Sequence, residues 1–339
     1  MKSTVLIIAV LCGHALWAGR ASFSVCVLDA DTGSPIKGIK IEGAFLNYSR
    51  GWNESAKDNN VDAWTDSNGY AKLSGNTEAG VGGYRILRTP GYYNAEWTEI
   101  EFREQSILRL GAWVPSDIVS TARLDRVICP IPLSVALSRP FGTSKEEDSF
   151  AEGKTVALYD LLKNDWLPPF GKGQVGDISF SSKRTNLGSE PYNYPSGIQT
   201  NEFYRYDVQV RFVGDGNGMK ESMPPKQAGI KLRTAPETGY EPTRVCWSGR
   251  MSRTEYKNNS SDERCYFFRI RTEFDELGKI KSAIYGKIYG DFKLVGKKNG
   301  IKGVSFLYYL NPTPNDRNLE WDMQHNLCPN AKDIGAPKP

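Results

Sequence analysis

Hydrophobic and polar residues alternate along several short segments in the first third of the chain. The first segment is 23–28, and a second, 39–42, follows a turn rich in Asp, Thr and Gly. A period of two is typical of a β-strand with one buried face. The sequence Asp-Ser-Asn-Gly at 66–69 predicts a tight hairpin turn, because Asn and Gly tolerate positive backbone angles. Further strands are predicted at 84–87 and 96–102.

The second half of the chain has its clearest alternation at 203–213. The residues on one side are Tyr204, Tyr206, Val208, Val210 and Phe212, and those on the other are Arg205, Asp207, Gln209 and Arg211. Such a segment is a strand with one face in a core. Strands are also predicted at 266–274 and 280–295, and the turn at 297–300 returns the chain along 304–310. This half therefore reads as an antiparallel β domain.

The turn motifs of the first domain resemble those of a known family. They are VLDADTGSPIKG (27–38), TDSNGYA (65–71), GYRI (83–86) and GYY (91–93). Together they resemble the carboxypeptidase-regulatory-like, or transthyretin-like, β-sandwich. Such modules support or present other parts of a protein, so the resemblance implies a fold and no chemistry of its own.

The second half is similar to uncharacterised secreted bacterial proteins. The similarity rests on YD (159–160), DW (165–166), YGKIYGDF (285–292) and YLNPTPNDRNL (309–319). These proteins have no assigned activity, so the resemblance indicates relatives without implying a role.

These patterns predict an all-β protein. We expect a transthyretin/Ig-like sandwich followed by a larger antiparallel β-sandwich or barrel-like domain. The predicted segments are a signal peptide (1–21), the first sandwich (22–112), a bridge and connector (113–154), the second domain (155–329) and a tail (330–339). The composition of 17 Tyr, 14 Phe and 33 Gly favours strands and turns over helices.

The N-terminus has the layout of a cleavable secretory signal. Lys2 precedes the apolar run at 5–12, and small residues follow, which is the order that such signals require. We expect cleavage after Ala21, with Ala18 as the alternative site. The apolar run is shorter than the ~20 residues of a membrane-spanning helix, as is every later apolar segment. The expectation is a secreted or periplasmic protein without a transmembrane segment.

The charge of the chain bears on its partners. A formal net charge of +4 over 339 residues is far from the strongly basic face that nucleic-acid binding usually needs. We therefore expect no nucleic-acid partner, and no motif indicates a cofactor. The expected partner is an envelope or extracellular protein, or a glycan.

Five cysteines follow the predicted signal. In an exported protein they are candidates for disulfide bonds. Cys246 and Cys265 flank a polar loop between segments that read as neighbouring strands, so we expect them to be bonded, with a stabilisation of roughly 3 kcal/mol. Cys129 and Cys328 are the second expected pair, which leaves Cys26 free.

Metal sites find little support in the sequence. There is no Cys-x-x-Cys motif, and His325 is the only histidine after the signal. Asp29 and Asp31 are weak candidates, because Asp-x-Asp-x-Gly can begin a calcium loop. Lys40 stands where such a loop places its bidentate glutamate, and a turn rich in aspartate explains the same residues. We expect no metal.

No catalytic constellation is recognisable. A glycosidase needs two carboxylates across a cleft, and the acids that could supply them have no diagnostic spacing. These acids are Asp160, Asp165, Asp177, Asp291, Asp316, Glu320 and Asp322. A serine or cysteine triad would have to use His325, which lies in a polar C-terminal segment. The sequence therefore predicts a protein that is not an enzyme.

Aromatic residues in or near the loops of the first domain are the best candidates for ligand binding. They are Trp52, Trp64, Tyr92, Tyr93 and Trp97. Exposed rings can stack on sugars or anchor a protein interface, whereas buried rings would fill the sandwich core.

We expect an exported, non-catalytic binding or structural protein of the bacterial envelope. The alternative is a carbohydrate-binding or carbohydrate-active (glycoside hydrolase-like) protein with its site in the second domain. A third hypothesis is assembly, in which an exposed edge strand near 204–213 or 304–310 receives a strand from a partner.

Overall fold

The chain forms two compact units in a computed structural model, 1–127 and 128–339. The structure describes residues 19–47, 59–102, 107–109, 111–114, 118–138, 156–195, 197–222, 232–297 and 300–328. These residues form 21 strands, so the predicted all-β class with several sheets is confirmed. No helix in these ranges is long and apolar enough to cross a membrane.

Unit 1 contains nine of these strands in two sheets. They are β1 (Gly19–Asp29), β2 (Lys40–Phe45), β3 (Asn59–Trp64), β4 (Tyr70–Thr77), β5 (Val81–Ile86), β6 (Ala95–Glu101), β7 (Ile107–Arg109), β8 (Ala112–Val114) and β9 (Ile118–Leu124). One sheet has the order β4-β1-β8-β7, with β9 parallel to β1, and the other has the order β3-β2-β5-β6. The inward side chains of the two sheets form one core.

The alternation predicted for β1 explains how the sheets of unit 1 pack. Phe23, Val25 and Val27 are fully buried, and they belong to a core that also includes Phe45 of β2 and Tyr84 of β5. The Phe23 ring lies 5.6 Å from that of Phe45 and 6.0 Å from that of Tyr84, measured between ring centres. Aromatic pairs at this distance stabilise the core beyond the area they bury.

Unit 2 contains the remaining twelve strands. They are β10 (Ile131–Leu137), β11 (Ala157–Asp160), β12 (Asp165–Trp166), β13 (Ile178–Tyr194), β14 (Gly197–Phe212), β15 (Gly218–Ser222), β16 (Thr243–Arg250), β17 (Tyr256–Asn258), β18 (Cys265–Phe274), β19 (Ile280–Lys297), β20 (Gly300–Asn311) and β21 (Trp321–Asn326). The two six-stranded sheets have the orders β15-β18-β19-β20-β10-β21 and β12-β11-β13-β14-β16-β17. Except for the parallel pair of β10 and β21, neighbouring strands are antiparallel.

The largest core of unit 2 contains the face predicted for β14. Tyr206, Val208, Val210 and Phe212 are at most 3% exposed, and they share this core with residues of β18, β19 and β20 from the other sheet. Burial of such side chains contributes about 1.5–3 kcal/mol each. The hydrophobic pattern of 203–213 thus identified a strand whose buried face packs against the other sheet of unit 2.

The segment 113–154, which the sequence suggests as a bridge, supplies strands to both units. β8 and β9 extend a sheet of unit 1, whereas β10 pairs with β20 and β21 of unit 2. Residues 139–155, where we expect the connector, lie outside the described residues. The strands form because each presents buried side chains to a core, namely Ala122 and Leu124 of β9 and Leu133 and Val135 of β10.

Both predicted disulfides are absent, because all five cysteines of the described residues are free thiols. Cys246 lies in β16 and faces the main core of unit 2, whereas Cys265 of β18 belongs to a second hydrophobic cluster. Tyr266 of β18 faces the main core, so Cys265, one residue earlier, points to the opposite side of its sheet. Cys129 is exposed, while Cys328 is buried in the main core.

Candidate functional site

Two of the five aromatic candidates lie on the outer face of the sheet β3-β2-β5-β6. Trp64, at the end of β3, is 61% exposed, and Trp97 of β6 is 43% exposed. Exposed indole rings on one surface can stack on a ligand, because each combines a flat apolar body with a polar N–H. This outer surface, with Trp64 and Trp97 and the residues between them, is called the tryptophan face below.

The strand pattern explains why these side chains point outward. Val61 and Ala63 of β3 pack against the core, so Trp64 at the next position points to solvent. Trp97 reaches across β5, since a Cβ atom on Gly83 would lie only 2.3 Å from Cζ2 of its indole ring. Gly83 therefore leaves the space that the ring occupies.

Charged side chains form a network between the two tryptophans. Lys40 Nζ lies 2.8 Å from Asp62 Oδ2 and 3.6 Å from Glu42 Oε1. Arg85 contacts Glu42 Oε2 through both Nε and Nη2, at 3.1 Å each. The ion pair with Asp62 is the main cause that raises the pKa of Lys40. The network holds two cations and two carboxylates, so it presents donors and acceptors without net charge.

The strand registers place this network between the rings. Lys40 is opposite Trp64, and Glu42 is opposite both Asp62 and Arg85. Three steps between strands separate β3 from β6, or about 14 Å at the usual strand spacing. The tryptophan face is therefore a polar strip bounded by two indole rings. Composition and spacing alone did not single out Lys40, Glu42, Asp62 and Arg85, although alternation along β2, β3 and β5 places them on one face.

The other aromatic candidates do not join this surface. Tyr93 is 9% exposed, and Tyr92 packs against the core of unit 1. The hydroxyl of Tyr92 donates a 2.9 Å hydrogen bond to Asp29 Oδ2. Trp52 lies outside the described residues.

Asp29, a weak metal candidate, is saturated by protein donors. Its carboxylate accepts hydrogen bonds from the backbone N–H groups of Asp31 and Thr32, the Thr32 hydroxyl, the Tyr92 hydroxyl and the Arg126 guanidinium. Burial raises its pKa, but these hydrogen bonds outweigh burial and hold the pKa well below its usual range. The carboxylate thus fixes a turn, and the described residues contain no group of three or more ligands suited to a metal ion.

The carboxylates of unit 2 that could form a catalytic pair are also held by protein groups. Asp160 and Asp177 each have a side chain that is 1% exposed, and both contact Arg271 at 2.9 Å. Asp160 also accepts hydrogen bonds from four backbone N–H groups. Burial raises the pKa of Asp177, whereas hydrogen bonds outweigh burial and lower the pKa of Asp160. Such burial leaves no surface on either carboxylate for a substrate.

Asp291 has a comparable environment. Its Oδ2 atom lies 3.2 Å from Arg244 and 2.8 Å from Arg264, and its Oδ1 accepts hydrogen bonds from Tyr266 and from the backbone of Phe292. A buried carboxylate with this many donors is a structural element. Asp160, Asp177 and Asp291 therefore tie strands and loops together.

Lys287 of β19 is a buried cation that the sequence did not indicate. Its side chain is fully buried, with Nζ 5.1 Å from the ring centre of Tyr289 and 5.0 Å from that of Tyr309. Burial lowers its pKa to about 7, against the opposing effect of Glu320. The neighbouring Ile288 faces the main core, so alternation predicts an exposed Lys287. A second cluster, which includes Leu232 and Leu319, covers this side of the sheet instead.

Comparisons with known proteins give a set of distant structural similarities. No family model and no curated protein matches the chain. Among solved structures, the minor pilin GBS52 of Streptococcus agalactiae is 16% identical, with 34% of this chain and 48% of the pilin covered and a TM-score of 0.22. This chain thus spans about half the length of that pilin.

Two further solved structures match over more of the chain. The major pilin SpaD of Corynebacterium diphtheriae is 10% identical, with 75% of this chain and 87% of SpaD covered and a TM-score of 0.25. A DUF3823 family protein of Parabacteroides merdae is 7% identical, with 86% of this chain and 96% of that protein covered and a TM-score of 0.20. Similarities of this size carry no conclusion about function.

Proposed function

We propose that this protein is an exported, non-catalytic binding protein whose tryptophan face holds a neutral polysaccharide. The observation that carries the proposal is the exposure of Trp64 and Trp97, at 61% and 43%, on the same outer face of one sheet. An indole ring offers a flat apolar surface with a polar edge, which suits the C–H face of a sugar ring.

The ion network between the rings favours a glycan over a protein partner. The core of a protein interface is depleted of charged residues, whereas the centre of the tryptophan face consists of Lys40, Glu42, Asp62 and Arg85. Their donors and acceptors match the hydroxyl groups of a sugar chain. Because the four charges cancel, a neutral chain fits better than a polyanion, and a few linked rings would span the distance between the tryptophans.

This proposal places the binding site in unit 1, whereas the sequence favoured the second domain for carbohydrate binding. Export rests on the secretory-signal pattern at the N-terminus, most of which lies outside the described residues. The burial of Asp160 and Asp177, each with a side chain 1% exposed, supports binding without hydrolysis.

The test is co-sedimentation with insoluble polysaccharides, together with a glycan array. We expect Trp64→Ala and Trp97→Ala each to weaken binding by about two- to tenfold, since an aromatic contact is worth ~0.5–1.5 kcal/mol. The double variant should show no measurable binding. Tyr70→Ala is the matched control, because Tyr70 is 46% exposed on the other sheet of unit 1.

Two results would contradict the proposal. One is a wild-type protein that binds none of the glycans, and the other is a Tyr70→Ala variant that loses as much affinity as the tryptophan variants. A panel of chromogenic glycosides tests the carbohydrate-active alternative, and we expect no turnover.

A further inference from the structure

A two-stranded ribbon extends from one sheet of unit 2. β13 and β14 are 17 and 16 residues long, and they pair from Ile178–Phe212 to Tyr194–Gly197. On the other side of β13, β11 pairs only with 178–180. Within the described ranges, no strand lies beside 183–190 on that side. A strand edge of this kind presents backbone N–H and C=O groups that can pair with another chain.

The residues along this edge are accessible. Lys183 and all residues of 185–190 are exposed, and Leu187 is 45% exposed. The sequence favoured a free edge at 204–213 or 304–310, but both segments lie inside their sheets, with β14 between β13 and β16 and β20 between β19 and β10. The open edge thus belongs to β13, which pairs with β14, the strand that contains the predicted segment 204–213.

An irregularity in β13 brings two opposite charges onto the same face. Lys183 is opposite Asp207, and Glu190 is opposite Asn201, with a register shift between Asn186 and Gly188. Asp207 and Asn201 are six residues apart, so they share a face of β14. Lys183 and Glu190 are seven residues apart, yet the extra residue of the bulge places them on one face as well.

We propose that the β13 edge pairs antiparallel with the same edge of a second copy of this chain. In a two-fold pairing centred between Asn186 and Leu187, Lys183 of each copy lies opposite Glu190 of the other, on the same face. Such an interface is self-complementary, as two-fold symmetry requires. Among the described residues, neither Lys183 nor Glu190 is in an ion pair, and both side chains are exposed.

The pairing joins two six-stranded sheets through main-chain hydrogen bonds, and the two ion pairs fix the register. Eight residues per copy bury less surface than a standard stable interface. The dimer is therefore weak and forms at high protein concentration. Pro191 lacks a backbone N–H and limits the pairing at the end of this edge.

The test is sedimentation velocity of the full chain over a concentration series. Wild type should dimerise. Lys183→Glu and Glu190→Lys should each weaken self-association by about tenfold, because each substitution turns both ion pairs of the dimer into pairs of like charges. The double variant restores both pairs and should dimerise like wild type. A mixture of the two single variants should form a mixed dimer for the same reason. Lys279→Glu, in the exposed turn between β18 and β19, is the control with the same change in charge as Lys183→Glu.

The proposal fails if wild type remains a monomer throughout the series. It also fails if the protein dimerises but the single variants do not differ from the Lys279→Glu control, since the interface would then lie elsewhere. Self-association of the double variant that is as weak as that of the single variants would exclude the Lys183–Glu190 pairing.

Discussion

Gly83 and Trp97 fit together across two neighbouring strands. A Cβ atom at position 83 would lie 2.3 Å from Cζ2 of the indole and 2.7 Å from the backbone oxygen of Thr98. The first contact is with a side chain that can move, but the second is with the backbone of β6. The position of the Trp97 ring over β5 therefore depends on the absence of a side chain at Gly83.

We expect Gly83→Ala to displace Trp97 and to weaken glycan binding about as much as Trp97→Ala. The forced shift of β6 should also lower the free energy of unfolding by about 1–3 kcal/mol. Co-sedimentation measures the first effect, and urea unfolding measures the second. Gly82→Ala is the control, because a Cβ atom there would approach Ala44, Phe102 and Phe45 instead of Trp97, and it should retain glycan binding. A Gly83→Ala protein that binds like wild type would contradict the role given to Trp97.

Removal of the Arg271 side chain should strongly destabilise unit 2. Arg271→Met leaves Asp160 and Asp177 buried without their shared cation. Loss of one partner from a buried ion pair costs about 3–5 kcal/mol, which urea unfolding would detect. Arg205→Met is the control, since Arg205 and Asp207 are 40% and 28% exposed and an exposed pair contributes at most ~1 kcal/mol. Equal effects of the two substitutions would argue against a structural role for Arg271.

The parts of the fold that the sequence predicted are those set by local alternation and turn chemistry. The hairpin at 66–69 forms as expected, with Gly69 at φ 78° and the backbone N–H of Asp66 bonded to the carbonyl of Tyr70. The parallel pairing of β1 with β9 joins residues about a hundred positions apart, and no local pattern encodes it. The disulfide prediction failed for the same reason, because the distance between Cys246 and Cys265 depends on which sheet each strand joins.

The candidate site was predictable only in part. Two of the predicted aromatic residues, Trp64 and Trp97, lie on one exposed face, but the sequence could not separate them from Tyr93, which is buried. Alternation shows that the two faces of a strand differ in polarity, but tertiary packing decides which face is exposed to solvent. Lys287 shows the same limit, since a second hydrophobic cluster covers the face that alternation assigns to solvent.

The buried Lys287 should make stability depend on pH. Its pKa is about 7 in the folded protein and about 10.4 in an unfolded chain. Between these values the unfolded state binds more protons, so the free energy of unfolding rises with pH. Below pH 7 the lysine is protonated in both states, and its burial penalty is fully present. The penalty disappears as the pH approaches the unfolded value.

We expect the free energy of unfolding of wild type to rise by about 2 kcal/mol from pH 7.5 to 9.5, relative to that of Lys287→Met. Urea unfolding of both proteins at several pH values measures this change. The comparison is needed because burial also raises the pKa of Cys246 to about 11, which lowers stability at alkaline pH in both proteins. Since both contain this thiol, its effect cancels in the difference. A difference that stays constant with pH would show that Lys287 titrates normally.

The position of β1 bears on where a secretory signal would be removed. The sequence favours cleavage after Ala21, yet β1 begins at Gly19, and 19–21 pair with 75–77 of β4. Ala21 is 1% exposed, so cleavage after it would remove a core side chain and three paired residues. Cleavage at the alternative site, after Ala18, keeps the strand whole. We therefore expect the N-terminus of the exported protein to be Gly19.

N-terminal sequencing of the exported protein tests this expectation. A protein that starts at Ser22 should unfold at lower urea concentration than one that starts at Gly19, with a loss of about 1–2 kcal/mol from one buried methyl group and the lost strand pairing. Arg20→Ala is the control, because Arg20 is exposed in the same strand and its substitution keeps the backbone pairing. Export with Ser22 as the N-terminus, together with equal stability of the two forms, would show that the first three residues of β1 do not contribute to the fold.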